Sequence, residues 1–143
     1  MAKQVIFNLL DSEQDHLMLA CQLSADFYRN NQRVFIFCDD QQMAHKIDEM
    51  LWSFDSDSFV PHNLPGEGQF KGSPVEISWQ APTNLRNVLI NLASEVPNFA
   101  GQFNKTYDFV PNDETLKKLA RLRYRGYQQL GLQVSTEQIG QLA

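Results

Sequence analysis

The chain has 143 residues, 43% hydrophobic and 11% aromatic, and a formal net charge of −5 with a pI near 5.1. That length suits one domain with one core. Its acidity excludes nucleic-acid binding by the bulk surface, and the absence of an apolar run of about 18 residues excludes a membrane-spanning helix.

Residues 5–10, VIFNLL, form a short apolar run and read as a central, buried strand. Asp11 and Ser12 offer a cap to the helix that follows. Its Leu17, Ala20, Cys21, Ser24, Phe27 and Tyr28 recur at helical spacing and face the sheet, and Asn30 and Asn31 end it. Residues 34–38, VFIFC, are a second buried strand. Asp39 and Asp40 cap a second helix that turns Ala44, Ile47, Met50 and Leu51 inward. Strand–helix–strand–helix predicts a mostly parallel sheet with right-handed crossovers, hence an α/β fold.

Trp52, Phe54 and Phe59 then crowd a polar turn. They either roof the core or present an aromatic patch to a protein partner. A short strand is expected within 58–64, and Gly66, Gly68, Gly72 and Pro74 mark a long turn-rich connection. Strands follow at 75–79 and 87–92. A short helix is expected over 97–104 around Phe99 and Phe103, and a last strand at 107–110. The tail, 133–143, is polar and reads as loosely held. One domain therefore spans 1–143.

Between that last strand and the tail the charge reverses. From Thr115 to Leu132 there is no acid, and the bases are Lys117, Lys118, Arg121, Arg123 and Arg125. Asn112, Asp113 and Glu114 precede them, where a short polar side chain caps free N–H groups and acids offset the helix dipole. At 100° per residue, Leu116, Leu119, Tyr127 and Leu130 share one side, with Ala120 and the stem of Arg123 near it. Lys117, Arg121, Tyr124 and Gln128 share the other, flanked by Lys118 and Arg125. Gly131 is the expected stop. The result is an amphipathic helix with a cationic stripe outward. It is either a solvated face or an anion site. With Phe109, Val110 and Pro111 as an apolar wall, such a site suits an acidic peptide ending in an aromatic, and it also suits a phosphate.

Catalytic patterns do not assemble. The loop after the first strand holds Asp11, Glu13 and Asp15 and no glycine, so it repels a pyrophosphate. Asp39 reads as a helix cap rather than a ribose ligand. His16, His45 and His62 lack metal-ligand spacing, and no Walker or G-x-S-x-G sequence occurs. Cys21 and Cys38 read as buried thiols of a reducing compartment. With no charged-then-apolar leader at its start, the chain is expected to be cytoplasmic. No cofactor or metal is expected.

Three segments carry a resemblance: 48–68 (DEMLWSFDSDSFVPHNLPGEG), 74–79 (PVEISW) and 107–132 (YDFVPNDETLKKLARLRYRGYQQLGL). With the opening VIFNLLD and the strand RVFIFCDD, they closely resemble the chi subunit family of bacterial DNA polymerase III over nearly the whole chain. The resemblance implies a three-layer α/β/α fold, Rossmann-like without a nucleotide-binding loop. It implies a non-catalytic accessory protein that pairs with the psi subunit, joins the clamp loader through psi, and grips the acidic C-terminal tail of single-stranded DNA-binding protein. DNA is then met only indirectly. By matching positions, Val110, Lys117, Arg121, Tyr124 and Arg125 form the tail-binding site. Trp52 and Phe59 belong to the psi-facing surface, which a helicase-like repair protein shares in the family. The alternative from another class is a small enzyme processing a nucleotide or phosphoester on a Rossmann-like fold.

Overall fold

Alternation along the strands decides how this sequence layers. The computed structural model describes residues 3–11, 15–53, 60–65, 73–83 and 86–138. Its elements are β1 (Gln4–Leu9), α1 (His16–Arg29), β2 (Val34–Phe37), α2 (Gln41–Ser53), β3 (His62–Asn63), β4 (Val75–Ser78), β5 (Val88–Asn91), a 3-10 turn (Ala100–Gln102), β6 (Lys105–Val110), α3 (Glu114–Gln129) and β7 (Gln133–Gln138). Successive side chains on a strand point to opposite faces. Val34, Ile36, Val88 and Ile90 accordingly pack against Leu17, Ala20 and Cys21 of α1 and Ala44, Ile47 and Leu51 of α2. Phe35 and Leu89 point the other way, to Phe99, Phe103 and the Ala120 and Tyr127 of α3. The sheet is thus covered on both faces, which is why its strands read as continuous apolar runs.

The seven strands lie in the order β3-β4-β2-β5-β6-β1-β7, and every pairing is parallel. This is the expected three-layer α/β/α, Rossmann-like architecture. The first strand is not central, however. It lies one from the edge, because the segment expected to trail loosely from 133 forms β7 along its whole length. Two local causes hold β7. Gly131 takes φ 83°, a conformation that favours glycine. Its N–H donates to the Gln128 carbonyl at 2.9 Å and the Leu132 N–H to that of Tyr127 at 3.2 Å, closing α3 in a Schellman turn that aims the chain back along β1. Leu132 and Val134 then pack on the cluster around Phe7. Residues 139–143 lie outside the described residues.

Two caps differ from expectation. Asp15, not Asp11 or Ser12, starts α1, its Oδ1 accepting the Leu17 N–H at 2.8 Å. Asp40 alone caps α2, accepting the Met43 N–H at 2.9 Å. Asp39 is used across the sheet instead: its Oδ1 accepts from the Ser94 N–H at 2.9 Å and the Ser94 hydroxyl at 3.2 Å. Among the described residues, no helix is long and apolar enough to cross a membrane.

Candidate binding faces

The roll of α3 about its own axis is set by a carboxylate. Asp108 sits in β6 and is 1% exposed. A buried carboxylate needs a partner. Arg123, only 8% exposed, turns inward and grips it in a fork: Nε donates to Oδ2 at 3.0 Å and Nη2 to Oδ1 at 3.0 Å. The Tyr127 hydroxyl donates to Oδ2 at 2.7 Å, Asn91 Nδ2 to the same oxygen at 3.1 Å, and the Phe109 N–H to Oδ1 at 2.6 Å. Arg123 also donates to the carbonyls of Phe109 at 3.1 Å and Ser94 at 3.3 Å. Burial first, then the neighbouring carboxylate, push the Tyr127 phenol well above its ordinary pKa, so it stays a donor.

This network shifts the expected inward face of α3 away from its leucines. Its buried residues are Ala120, Arg123 and Tyr127, whereas Leu116 and Leu130 are exposed. Tyr127, Ala120 and Arg123 lie inward, as the spacing predicts. Tyr124 leaves the expected cationic stripe: the ring lies half-buried, 5.5 Å from that of Phe7, and its hydroxyl donates to the Val134 carbonyl at 3.4 Å. Apolarity alone put the leucines inward. The charged partner waiting in β6 decided otherwise.

With that roll, one flank of α3 faces β1 and β7 across a cavity of about 230 Å³. Val110, Lys117, Arg121 and Tyr124 all line it, joined by Phe7, Leu9, Ala120 and Thr136. Four of the residues assigned to tail binding therefore meet around one hollow. Arg125, the fifth, is exposed one turn beyond Arg121 and outside the lining. Lys117 has an exposed contact with Glu114 at 3.9 Å, a pair of little energetic consequence. Among the described residues, Arg121 and Arg125 have no ion pair. Sequence reasoning missed Phe7, Leu9 and Thr136. The alternation of the first strand placed Phe7 in a core, but nothing local set a polar tail strand beside it.

The second assigned surface lies at the other end of the sheet. Trp52, at the end of α2, is 60% exposed, and its ring stands edge-on to His62 at 4.7 Å. His62 is buried beneath it. Its Nδ1–H donates to the Val60 carbonyl at 2.6 Å, and Nε2 lies 3.3 Å from a carboxylate oxygen of Asp48 without an aligned hydrogen bond. So Trp52 does not roof the core. Phe54 and Phe59 lie outside the described residues. Cys21 and Cys38 are buried and free, and burial pushes each thiol up to about 12.

A family model described as "DNA polymerase III chi subunit, HolC" matches residues 1–135. The chain is 41% identical over 142 residues to the DNA polymerase III subunit chi of Escherichia coli K12, covering 94% of this chain and 97% of that protein. To its namesake in Haemophilus influenzae it is 44% identical over 124 residues, covering 85% of this chain and 86% of the other. To that of Pseudomonas aeruginosa it is 32% identical over 116 residues, 80% of each chain. A crystal structure of T4 UvsW superposes with a TM-score of 0.63 at 8% identity, over 96% of this chain and 41% of that one, a likeness of fold alone.

Proposed function

The chain belongs to the DNA polymerase III chi subunit family, and from that premise we propose that it acts as an adaptor in DNA replication, joining psi at one end of its sheet and the acidic tail of single-stranded DNA-binding protein at the other. Chi is an accessory subunit of the polymerase, not a catalytic one, which sets aside the reading as a phosphoester-processing enzyme.

The observation that carries the proposal is the cavity beside α3. An apolar hollow walled by Val110, Phe7, Leu9 and Tyr124 has two cations, Lys117 and Arg121, at its edge. That combination fits a chain terminus that is aromatic at its side chain and anionic at its carboxylate. Arg125, one turn on, meets acids further up the tail. Each well-formed charge-assisted hydrogen bond contributes about 1.5–3 kcal/mol. Two of these and an apolar anchor, less the cost of ordering a flexible tail, give roughly micromolar affinity. Through psi the protein reaches the clamp loader. Weak tail binding multiplied by that tether holds the polymerase to protein-coated template without direct DNA contact. Trp52 and Phe59 form the psi surface, open also to a helicase-like repair protein.

The test is calorimetry with a synthetic acidic tail peptide ending in phenylalanine. Arg121→Ala weakens it roughly tenfold or more, the equivalent of one charge-assisted bond, and leaves psi binding intact. Trp52→Ala does the reverse. Unchanged peptide affinity in Arg121→Ala refutes the site.

A further inference from the structure

A crevice opens where neighbouring strands send the chain to opposite faces. β1 and β6 are paired side by side, yet β1 leads into α1 on one face and β6 into α3 on the other. In open parallel sheets, ligands sit outside the carboxyl ends of strands at such a point. The crevice here has a volume of about 240 Å³. Met43 of α2, Phe109 of β6 and Pro111 just after it, and Leu116 and Leu119 of α3 give it an apolar wall. The apolar surface does not stop at the rim. Leu116 is 37% exposed, and Leu122, three residues beyond Leu119, is 62% exposed.

The charge around the mouth has one dominant sign. Asp39 lines the crevice. Asp15, Asp40 and Glu95 are exposed and adjoin the lining residues His16, Asp39 and Ser94 in sequence. Among the described residues, Lys46 is the exposed cation that acts on His16 in the wall. Arg123, which reaches the floor, is held in its fork on Asp108. A phosphate or carboxylate ligand is therefore repelled where a nucleotide fold would attract one.

We infer that this crevice docks a short basic segment of a partner protein. One large apolar side chain of that segment seats among Met43, Phe109, Leu116 and Leu119, and flanking Lys or Arg residues face Asp15, Asp39, Asp40 and Glu95. Charge complementarity selects the sign of the occupant. The run of exposed leucine out along α3, beyond the hollow itself, selects a chain segment over a small molecule. The face is separate from the proposed tail cavity: Leu116 and Leu119 lie on the opposite flank of α3 from Lys117 and Arg121.

The test titrates the full isotope-labelled chain with the acetylated, amidated hexapeptide KRWLKR, its acidic counterpart EEWLEE, and N-acetyltryptophanamide, read by NMR. KRWLKR gives saturable shifts at Met43, Leu116 and Leu119 that weaken with salt. EEWLEE binds there at least tenfold less tightly, about the effect of one reversed charge contact. Leu116→Arg, at an exposed position, and Glu95→Lys, as an independent variant, each weaken KRWLKR several-fold. Shifts that move instead to Lys117 and Arg121 overturn the inference. So do equal binding of the acidic peptide, tryptophanamide binding as tightly as the hexapeptide, or wild-type affinity in both variants.

Discussion

Removing Arg123 tests whether a polar network, rather than leucine packing, positions α3. In Arg123→Met the side-chain volume is roughly kept, so the cavity contribution is small. What is lost is the fork on Asp108 and the donors to the Phe109 and Ser94 carbonyls. Asp108 keeps Tyr127, Asn91 and its neighbour's N–H, but its charge stays buried with no cation beside it. Breaking a buried pair from one side costs about 3–5 kcal/mol. At about 3 °C per kcal/mol for a chain of this size, the melting temperature falls by roughly 10–15 °C. Urea unfolding should show a lower midpoint with an unchanged slope. The double variant Arg123→Met/Asp108→Asn removes the orphaned charge and recovers part of the loss, a non-additive cycle expected of residues in one network. A loss under about 1 kcal/mol in the single variant, or strict additivity in the double, refutes the reasoning.

Two further outcomes follow from the interior. A Cβ at Gly126 meets Val96 Cγ2 at 2.8 Å. Ala gains about 1 kcal/mol of helix propensity over Gly, but overpacking against a stiff β-branched side chain costs about 1–3 kcal/mol. Gly126→Ala is thus a net loss of roughly 1 kcal/mol by urea titration, and becomes a gain in a Val96→Ala background. The thiols of Cys21 and Cys38 are raised from 9.0 to about 12, and the Tyr127 phenol is raised above 10.0. Each is an acid whose folded form holds its proton more tightly than the unfolded chain. Its stabilising share is complete below the unfolded pKa and is lost as pH rises above it. Stability therefore declines from about pH 9 upward, and both thiols stay unreactive to Ellman's reagent at pH 8 until urea unfolds the chain.

Much of the fold was legible because burial on both faces wrote it into the strands. The runs around Phe35 and Leu89 read as central parallel strands and are, the run around Phe7 reads the same way but lies one from the edge, and the helices between them fixed the layering. Val110, Lys117 and Arg121 were legible as a group, since a cationic run after an apolar strand end stands out in an acidic chain. The roll of α3 was not. Periodicity weighs Leu116, Leu119 and Leu130 as inward residues, and it has no weight for a carboxylate buried in another strand. The signal was present as Asp108 inside an apolar run, with Arg123 and Tyr127 spaced four apart on the next helix. β7 was not legible for a related reason. Residues 133–138 are mostly exposed in the fold, so their composition is that of a tail, and only the Schellman turn at Gly131 and the free edge of β1 make them a strand.

The buried network and the proposed adaptor role are linked by geometry. On a helix, Arg123 sits 100° per residue from its neighbours, so fixing Arg123 on Asp108 also fixes where Lys117 and Arg121 point. Were α3 rolled to bury its leucines as periodicity suggests, Tyr124 would turn outward from the hollow, and the cations would lose that part of their apolar wall. The internal pair therefore shapes an external site it never touches. The sheet sets the other requirement of an adaptor, simultaneous occupancy. Trp52 rests on β3, and the α3 cavity opens beside β1, five strands away in the sheet order. At about 4.8 Å per strand this separates the two faces by roughly 24 Å, more than a Debye length at physiological salt. On the proposed adaptor reading, charge at one face is therefore largely screened from the other.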